Sequence, residues 1–504
     1  MDNNILLSVL IWLPIFVGII FLFLKRYSSL LGLLNILFNF IIFLISIKLL
    51  YDFDNSITSF QFYSKTPWFQ QLGINYEIGL DVFSVSLVLL NCFIGLIISL
   101  FNFSSNVYKN EKYIGLFLIC IGITNGVFIA LDAILFYIFF EILLVPMFLI
   151  IGRWGSELRI FAAIKFFIYT FLGSIFLLIS FIYIYQSIGS FSVEDFQNSY
   201  FNFNEQKWLF IAMAFAFAIK IPMFPVHTWL PDAHVQAPTS GSVFLAAILL
   251  KIGAFGILRY VLPVVPIGAM EFSYVMIILS LIAIVYIGLV ALTQSDMKKL
   301  IAFSSISHMG FVTLGFFLLF GVYENTNEVS DATISLNGSF YQVISHGLVS
   351  AALFICVGII YDKFKSKNIL SVNGIINVVP KLSWLFVFFC LANCGLPGTS
   401  SFVGELLIII SSYKYSLVTS IITATTLVIS AGYSLWMVKR VIFGNYSYKD
   451  KNLEIHDCNI TQLIILGILV LMVIYFGVYP SLLIEFLTPG LEHLSESIII
   501  KAGL

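Results

Sequence analysis

Seven ionisable side chains lie inside stretches of sequence that are otherwise apolar: Glu141, Lys165, Lys220, Lys251, His308, His346 and Glu405. A charge at membrane depth costs ~3 kcal/mol or more. Such groups persist where they pair or line a hydrated cavity, and there they hold and release protons. Burial disfavours the ammonium form of a lysine and a neighbouring carboxylate favours it, so moving that carboxylate switches the lysine between keeping and giving up a proton. Glu141 and Lys220 are the first candidates for such a couple. Lys251 and Glu405 follow by the same logic, and His308 and His346 add imidazoles that titrate near neutrality. Lys165 sits closer to the basic end of its segment, where its stem also suits snorkelling to the surface. The bland alternatives are a packing ion pair for Glu141 and Lys220, and a histidine hydrogen-bonded to a serine or carbonyl. A buried pair adds little stability, which favours the proton reading.

These residues must be positioned by membrane helices. The 504-residue chain is 60% hydrophobic and 10% charged, with a net charge of −1 and a mean hydropathy of +1.03. That composition describes a polytopic helical membrane protein and gives no reason to expect a nucleic-acid partner. Apolar runs long enough to cross ~30 Å of hydrocarbon recur fourteen times. They lie near 5–24, 30–50, 81–102, 113–131, 133–152, 160–185, 208–230, 240–261, 273–293, 300–321, 338–361, 382–411, 415–438 and 463–486. Polar connections are expected at 51–80, 186–207, 322–337, 362–381 and 439–462, none of a size to fold separately. Residues 1–504 thus read as one membrane domain: helices 1–3 over 1–112, five-helix units over 113–261 and 273–438, and a C-terminal helix and tail over 463–504.

Sixteen of the 25 lysines and arginines fall in connections that follow odd-numbered spans, Lys298 among them, against four (Lys65, Lys207, Lys414, Lys501) on the other side. By the positive-inside rule the basic connections face the cytoplasm or matrix, and both termini the opposite compartment. Two spans are interrupted. Pro222 and Pro225 break span 7 directly after Lys220, and Gly395-Leu396-Pro397-Gly398 breaks span 12 ahead of Glu405. If spans 4–8 and 9–13 are equivalent, both breaks fall in the fourth helix of five, and the odd count inverts the second unit. Paired broken helices point to a transporter-type path near the midplane. Arg259 and Asp132 read as interfacial anchors, and His227, Asp232 and His234 as loop packing. The six cysteines include no CxxC and no zinc or iron–sulfur ligand spacing. No cleavable presequence is expected, since Met1–Asn4 runs into the first apolar span without a basic stretch or a small-residue cleavage site.

Several of these residues stand in motifs that resemble one family. They are Phe140-Glu141 with Val145-Pro146-Met147, Lys220 to His227, Trp229-Leu230-Pro231-Asp232-Ala233-His234, Gln236-Ala237-Pro238-Thr239, Leu250-Lys251, Ser305 to Gly310, and Phe402-Val403-Gly404-Glu405. Spans 3 to 13 closely resemble the subunit-4 family (chain M in the bacterial lettering) of proton-translocating NADH:quinone oxidoreductase, respiratory complex I. A glutamate in span 12, where sister subunits carry lysine, favours that branch. The resemblance implies fourteen helices, inverted repeats and discontinuous helices 7 and 12. It implies a place in the membrane arm beside other antiporter-like subunits, with no cofactor bound by this chain and NADH and ubiquinone acting elsewhere. It makes Glu141 and Lys220 the coupled pair, Lys251 and the histidines a central bridge, and Glu405 the terminal group. A subunit of a multi-subunit sodium/proton antiporter, or of a related hydrogenase or plastid dehydrogenase arm, is the alternative, and a plain scaffold the third reading. Abundant Phe, Tyr, Ile and Asn suit an AT-rich organellar genome and the mitochondrial inner membrane; a bacterial inner membrane is the other home.

Overall fold

A computed structural model describes residues 3–24, 29–105, 110–444 and 455–504. Lys25, Arg26, Lys109, Lys449 and Lys451, which contribute to the basic bias, lie outside the described residues. Among those described, twelve helices are long and apolar enough to cross a membrane. The expected spans 7 and 12 are not among them; each is in two pieces, Phe203–Lys220 with Trp229–Gln236, and Pro380–Asn393 with Ser400–Tyr415. The chain is an all-α, multi-pass membrane protein.

The chain folds as two compact units. The first holds Met1–Ile221, Ile248–Tyr274 and Phe486–Leu504; the second holds Pro222–Ala247 and Val275–Glu485.

Both breaks have local causes. Lys220 is the last residue of its half-helix, and Ile221 N–H donates to the Phe217 carbonyl. Pro222 lacks the donor needed for another turn. At span 12 the end is a Schellman motif: Gly395 adopts φ +72°, Leu396 N–H reaches the Leu391 carbonyl, and Gly395 N–H the Ala392 carbonyl. Gly398 (φ +89°) then turns the chain so that a new helix starts at Ser400.

Span 5 carries a milder interruption. Ala133–Ile142 and Leu144–Trp154 meet at Leu143, where Pro146 supplies no N–H to the turn ending at Ile142. Span 8 is a helix with two π-helical turns, Leu245–Leu249 and Ile257–Val261, on either side of the segment Leu250–Gly256 that carries Lys251.

Several connections differ from the sequence expectation. The 322–337 stretch is not a loop: Met297–Thr326 and Val329–Phe364 run through it, with Asn327 in the left-handed region closing the first helix. Thirty-six residues make a helix of ~54 Å, so its polar end projects beyond the ~30 Å apolar layer. That end is tied to the end of Ser400–Tyr415 by Lys414–Asp331, and the neighbouring end of Met297–Thr326 by Asn325 Nδ2 bonds to the carbonyls of Lys414 (3.0 Å) and Tyr415 (2.8 Å). The expected tail is helical over Ser481–Ala502. The 51–80 connection contains an antiparallel hairpin, Gln61–Phe69 with Ile74–Leu80, rich in β-favouring aromatic residues and turned at Gly73.

Candidate functional site

Unit 1 contains the Glu141–Lys220 couple. Lys220 is 1% exposed, and its Nζ has no hydrogen-bond partner. It stands 4.4 Å from the centre of the Phe140 ring, a cation–π contact. Glu141, the next residue along, feels the Lys220 charge, yet its Oε2 is also buried without a hydrogen bond. Ser174 is within hydrogen-bonding reach of the Glu141 carboxylate and of the Tyr137 hydroxyl. The two charges therefore interact across a gap. Buried polar atoms left without hydrogen bonds, in groups that feel one another's charge, suit a site that takes up water.

Lys251 is fully buried in the same unit. Its helix comes close to the end of Phe203–Lys220 because Gly253 has no side chain: a Cβ there would meet the Ile221 nitrogen at 2.8 Å and the Phe217 carbonyl oxygen at 3.0 Å. Lys165 occupies a partly exposed position on Arg159–Ile188, its ammonium 5.9 Å from the Phe161 ring.

Unit 2 gathers His308, His346 and Glu405. Glu405 is 0% and His308 2% exposed, with Oε1 to Nδ1 at 3.0 Å. The Gln342 amide lies 3.4 Å from Glu405 Oε1 and 3.5 Å from His308 Nδ1. On the far side of the imidazole the Tyr433 hydroxyl lies 3.3 Å from Nε2. The His346 ring centre is 5.9 Å from that of His308. Ser345 bonds Ser400 (2.7 Å) and Ser401 (3.1 Å), joining span 11 to the start of the second half of span 12. Glu405 Oε2 and Gln342 Oε1 are buried without partners. A carboxylate, an imidazole and a phenol in series, with acceptor sites left open, can pass a proton by a one-step change of donor and acceptor.

Gln342 and Tyr433 were not among the expected residues. Gln342 had a signal, being polar at depth and one turn before His346; Tyr433 had none. Lys298, counted with the basic connections, is buried instead. Its Nζ donates to the Ala237 carbonyl (2.7 Å) and to Ser242 Oγ (3.3 Å), while Lys367 Nζ reaches the Val235 carbonyl (2.8 Å). Two ammonium groups thus hold the C-terminal end of the short helix Trp229–Gln236, where they complement its dipole. His227 and His234 pack in this region, His234 stacked on Phe354 at 4.6 Å.

Neither Arg259 nor Asp132 is an interfacial anchor. Arg259 is buried and paired with Asp81 at 2.8 Å, with Ser84 at 2.9 Å. Asp132 is buried at the start of span 5, where Oδ1 accepts from the backbone of Ile134 and Leu135 and Oδ2 from Asn75. Burial pushes its carboxyl up to about 6, against the pull of those bonds.

Residues 130–430 match the family model described as NADH:quinone oxidoreductase/Mrp antiporter, TM. NADH-quinone oxidoreductase subunit M of Rhodobacter capsulatus is 42% identical over 470 residues, 90% of this chain and 88% of that protein. NADH-ubiquinone oxidoreductase chain 4 of Marchantia polymorpha is 39% identical, covering 99% of this chain and 97% of its own. Among solved structures, a chain of respiratory complex I from Thermus thermophilus with bound NADH superposes with a TM-score of 0.84 at 26% identity, covering 98% of this chain and 99% of that one. A chain of the Mrp complex of Dietzia shares the fold, with a TM-score of 0.87 at 17% identity and full coverage of both chains. This chain belongs to the NADH:quinone oxidoreductase/Mrp antiporter transmembrane family.

Proposed function

We propose that this chain is the antiporter-like, proton-translocating membrane-arm subunit of respiratory complex I that corresponds to subunit M or chain 4. It works among other membrane-arm subunits and contributes to NADH:quinone reductase activity as part of that assembly. Electron transfer from NADH to quinone takes place elsewhere in the complex, and this chain carries no redox centre of its own. Its home is the mitochondrial inner membrane or a bacterial inner membrane, with both termini on the face opposite the basic connections. Residues 113–261 and 273–438 are the two inverted repeats.

The observation that carries the proton role is Lys220, a buried ammonium without a hydrogen bond at the end of a broken helix, with a carboxylate across a gap. When the complex shifts the field along its arm, the Glu141 carboxylate approaches or leaves Lys220. Approach holds the proton on the lysine; departure releases it. Lys251 accepts next in unit 1, and Lys165 serves reloading from the basic face. In unit 2, His308 and His346 pass the proton to Glu405, from which it leaves.

Glu141→Gln in the assembled complex tests this. The amide keeps size and shape but cannot carry the charge. Assembly is expected to persist, while coupled NADH:quinone turnover and proton uptake fall ~tenfold or more, the loss expected if ~1.4 kcal/mol is added to the controlling barrier. Normal proton uptake by an assembled Glu141→Gln complex would overturn the role given to this couple.

A further inference from the structure

Between the buried charges of unit 1 and its hairpin-bearing face lies a layer of six aromatic side chains: Phe136, Phe140, Phe181, Phe217, Phe255 and Tyr260. All are at most 1% exposed. Phe136 is the hub, its ring centre 4.7 Å from Tyr260, 5.7 Å from Phe140, and 6.4 Å from each of Phe181, Phe217 and Phe255. Tyr260 closes the ring on Phe181 at 4.9 Å. The residues come from spans 5, 6, 7 and 8, so the layer runs across four helices.

Position along each helix fixes what lies on either side. Phe217 precedes Lys220 by three residues and Phe255 follows Lys251 by four, both toward the hairpin face, while Phe140 adjoins Glu141. On the other side, Asp132 precedes Phe136 by one turn, ~6 Å along the axis. On the same side stand the Arg259–Asp81 pair, its guanidinium 4.9 Å from the centre of the Phe255 ring, and Glu77, which is held by Tyr63 (3.0 Å), Ser192 (2.8 Å) and Lys65 (3.0 Å). Two polar regions of one unit are thus kept apart by packed rings.

We propose that this aromatic layer is a proton seal, closing unit 1 toward the hairpin face so that protons held at Lys220 and Lys251 find no exit there. The proposal rests on the proton-handling role given above. A proton needs a chain of water or side-chain donors, and a water in a protein interior needs two to four polar partners. Within the layer the rings offer one polar atom, the Tyr260 hydroxyl, itself buried without a hydrogen bond. Close packing at Gly256, where a Cβ would fall 2.1 Å from the Phe217 ring, leaves no slack for a second.

The test uses the assembled complex in sealed vesicles, with decay of an imposed pH gradient measured without turnover. Phe136→Ala and Phe255→Ala open the layer from different helices. Each is expected to speed the decay ~tenfold, equivalent to removing ~1.4 kcal/mol from a barrier. NADH:quinone electron transfer should continue and lose its response to uncoupler. Phe136→Leu and Tyr260→Phe, which keep the layer filled and apolar, should hold the gradient as the parent does. If Phe136→Ala fails to assemble, Phe255→Ala decides. Wild-type decay in an assembled alanine variant would overturn the seal. So would loss of proton release in Tyr260→Phe with electron transfer retained, because Tyr260 would then carry an exit. Normal pumping by Glu141→Gln would sink the proton role alone, since the leak in the alanine variants is read without turnover.

Discussion

Two glycines in the break of span 12 separate backbone strain from damage to the proton site. Gly395 and Gly398 both have positive φ, +72° and +89°. Alanine at either costs ~1–2 kcal/mol for the left-handed backbone. At Gly398 a Cβ meets nothing within 4 Å, whereas at Gly395 it falls 2.7 Å from Glu405 Oε2. An ordinary contact there begins at 3.4 Å, so the carboxylate must retreat by the difference between those two distances, ~0.7 Å, into a pocket where Oε1 already bonds His308 at 3.0 Å. A charge-assisted hydrogen bond is worth ~1.5–3 kcal/mol. If the Glu405–His308 contact lies on the proton path, Gly395→Ala should reduce proton pumping by ~10-fold or more, on ~1.4 kcal/mol per decade. Gly398→Ala should lose a similar amount of thermal stability and little pumping. The assay is proton release per NADH oxidised in vesicles, beside the melting temperature of the purified complex. Equal pumping by the two variants at equal assembly would refute the link from Gly395 to Glu405.

The buried Asp132 sets a pH dependence of stability. Its folded value of about 6 lies above the ordinary carboxylate value of ~3.9, so its contribution is fully present below pH ~4 and is lost as pH rises through ~6, by ~3 kcal/mol in all. Asp132→Asn should remove that slope; parallel melting curves for parent and variant across pH 4–7 would rule it out. Lys298→Met should destabilise by ~1.5–3 kcal/mol, since it strips a charged donor from the Ala237 carbonyl in a buried setting. Lys298→Arg should restore part of the loss, and an unchanged melting point in the methionine variant would refute the clamp.

The chemistry was legible where it broke a strong pattern. Glu141, Lys220, Lys251 and Glu405 stand out because charge is rare in apolar runs, and Pro222 and Gly395 because they cannot continue a helix. What the sequence hid was pairing between helices. Nothing in the spacing of His308, Gln342, Glu405 and Tyr433 says that four different helices bring them within 3.5 Å of one another in series. The π-helical turns beside Lys251 were equally hidden, since Leu245–Leu249 and Ile257–Val261 read as ordinary helix. Polarity misled at 322–337, because the ends of helices longer than the membrane is thick are polar too. Lys298 misled because a lysine next to Asp296 and Lys299 looks like a surface group, although a buried carbonyl end holds it.

Charge and broken backbone occur together at spans 7 and 12 for an electrostatic reason, and the sign agrees at both of those breaks. A helix end carries about half an elementary charge, negative at its C-terminus and positive at its N-terminus. Lys220 closes the half-helix Phe203–Lys220 at the negative end, where unpaired carbonyls favour an ammonium without a hydrogen-bond partner. Glu405 sits in the second turn of Ser400–Tyr415, near the positive end, and its free oxygen turns back toward Gly395 ahead of that helix. Lys298 and Lys367 again meet a negative end at Ala237 and Val235. In a continuous span these fields would lie at the membrane surfaces, ~15 Å from the midplane and largely screened by water. Breaking the helix moves them inward to where the proton-bearing groups are. The favourable field is modest, ~0.3–2 kcal/mol per charge. That is enough to bias a buried lysine or glutamate toward its charged form without fixing it there, so that movement of a neighbouring charge such as Glu141 still decides whether the proton stays.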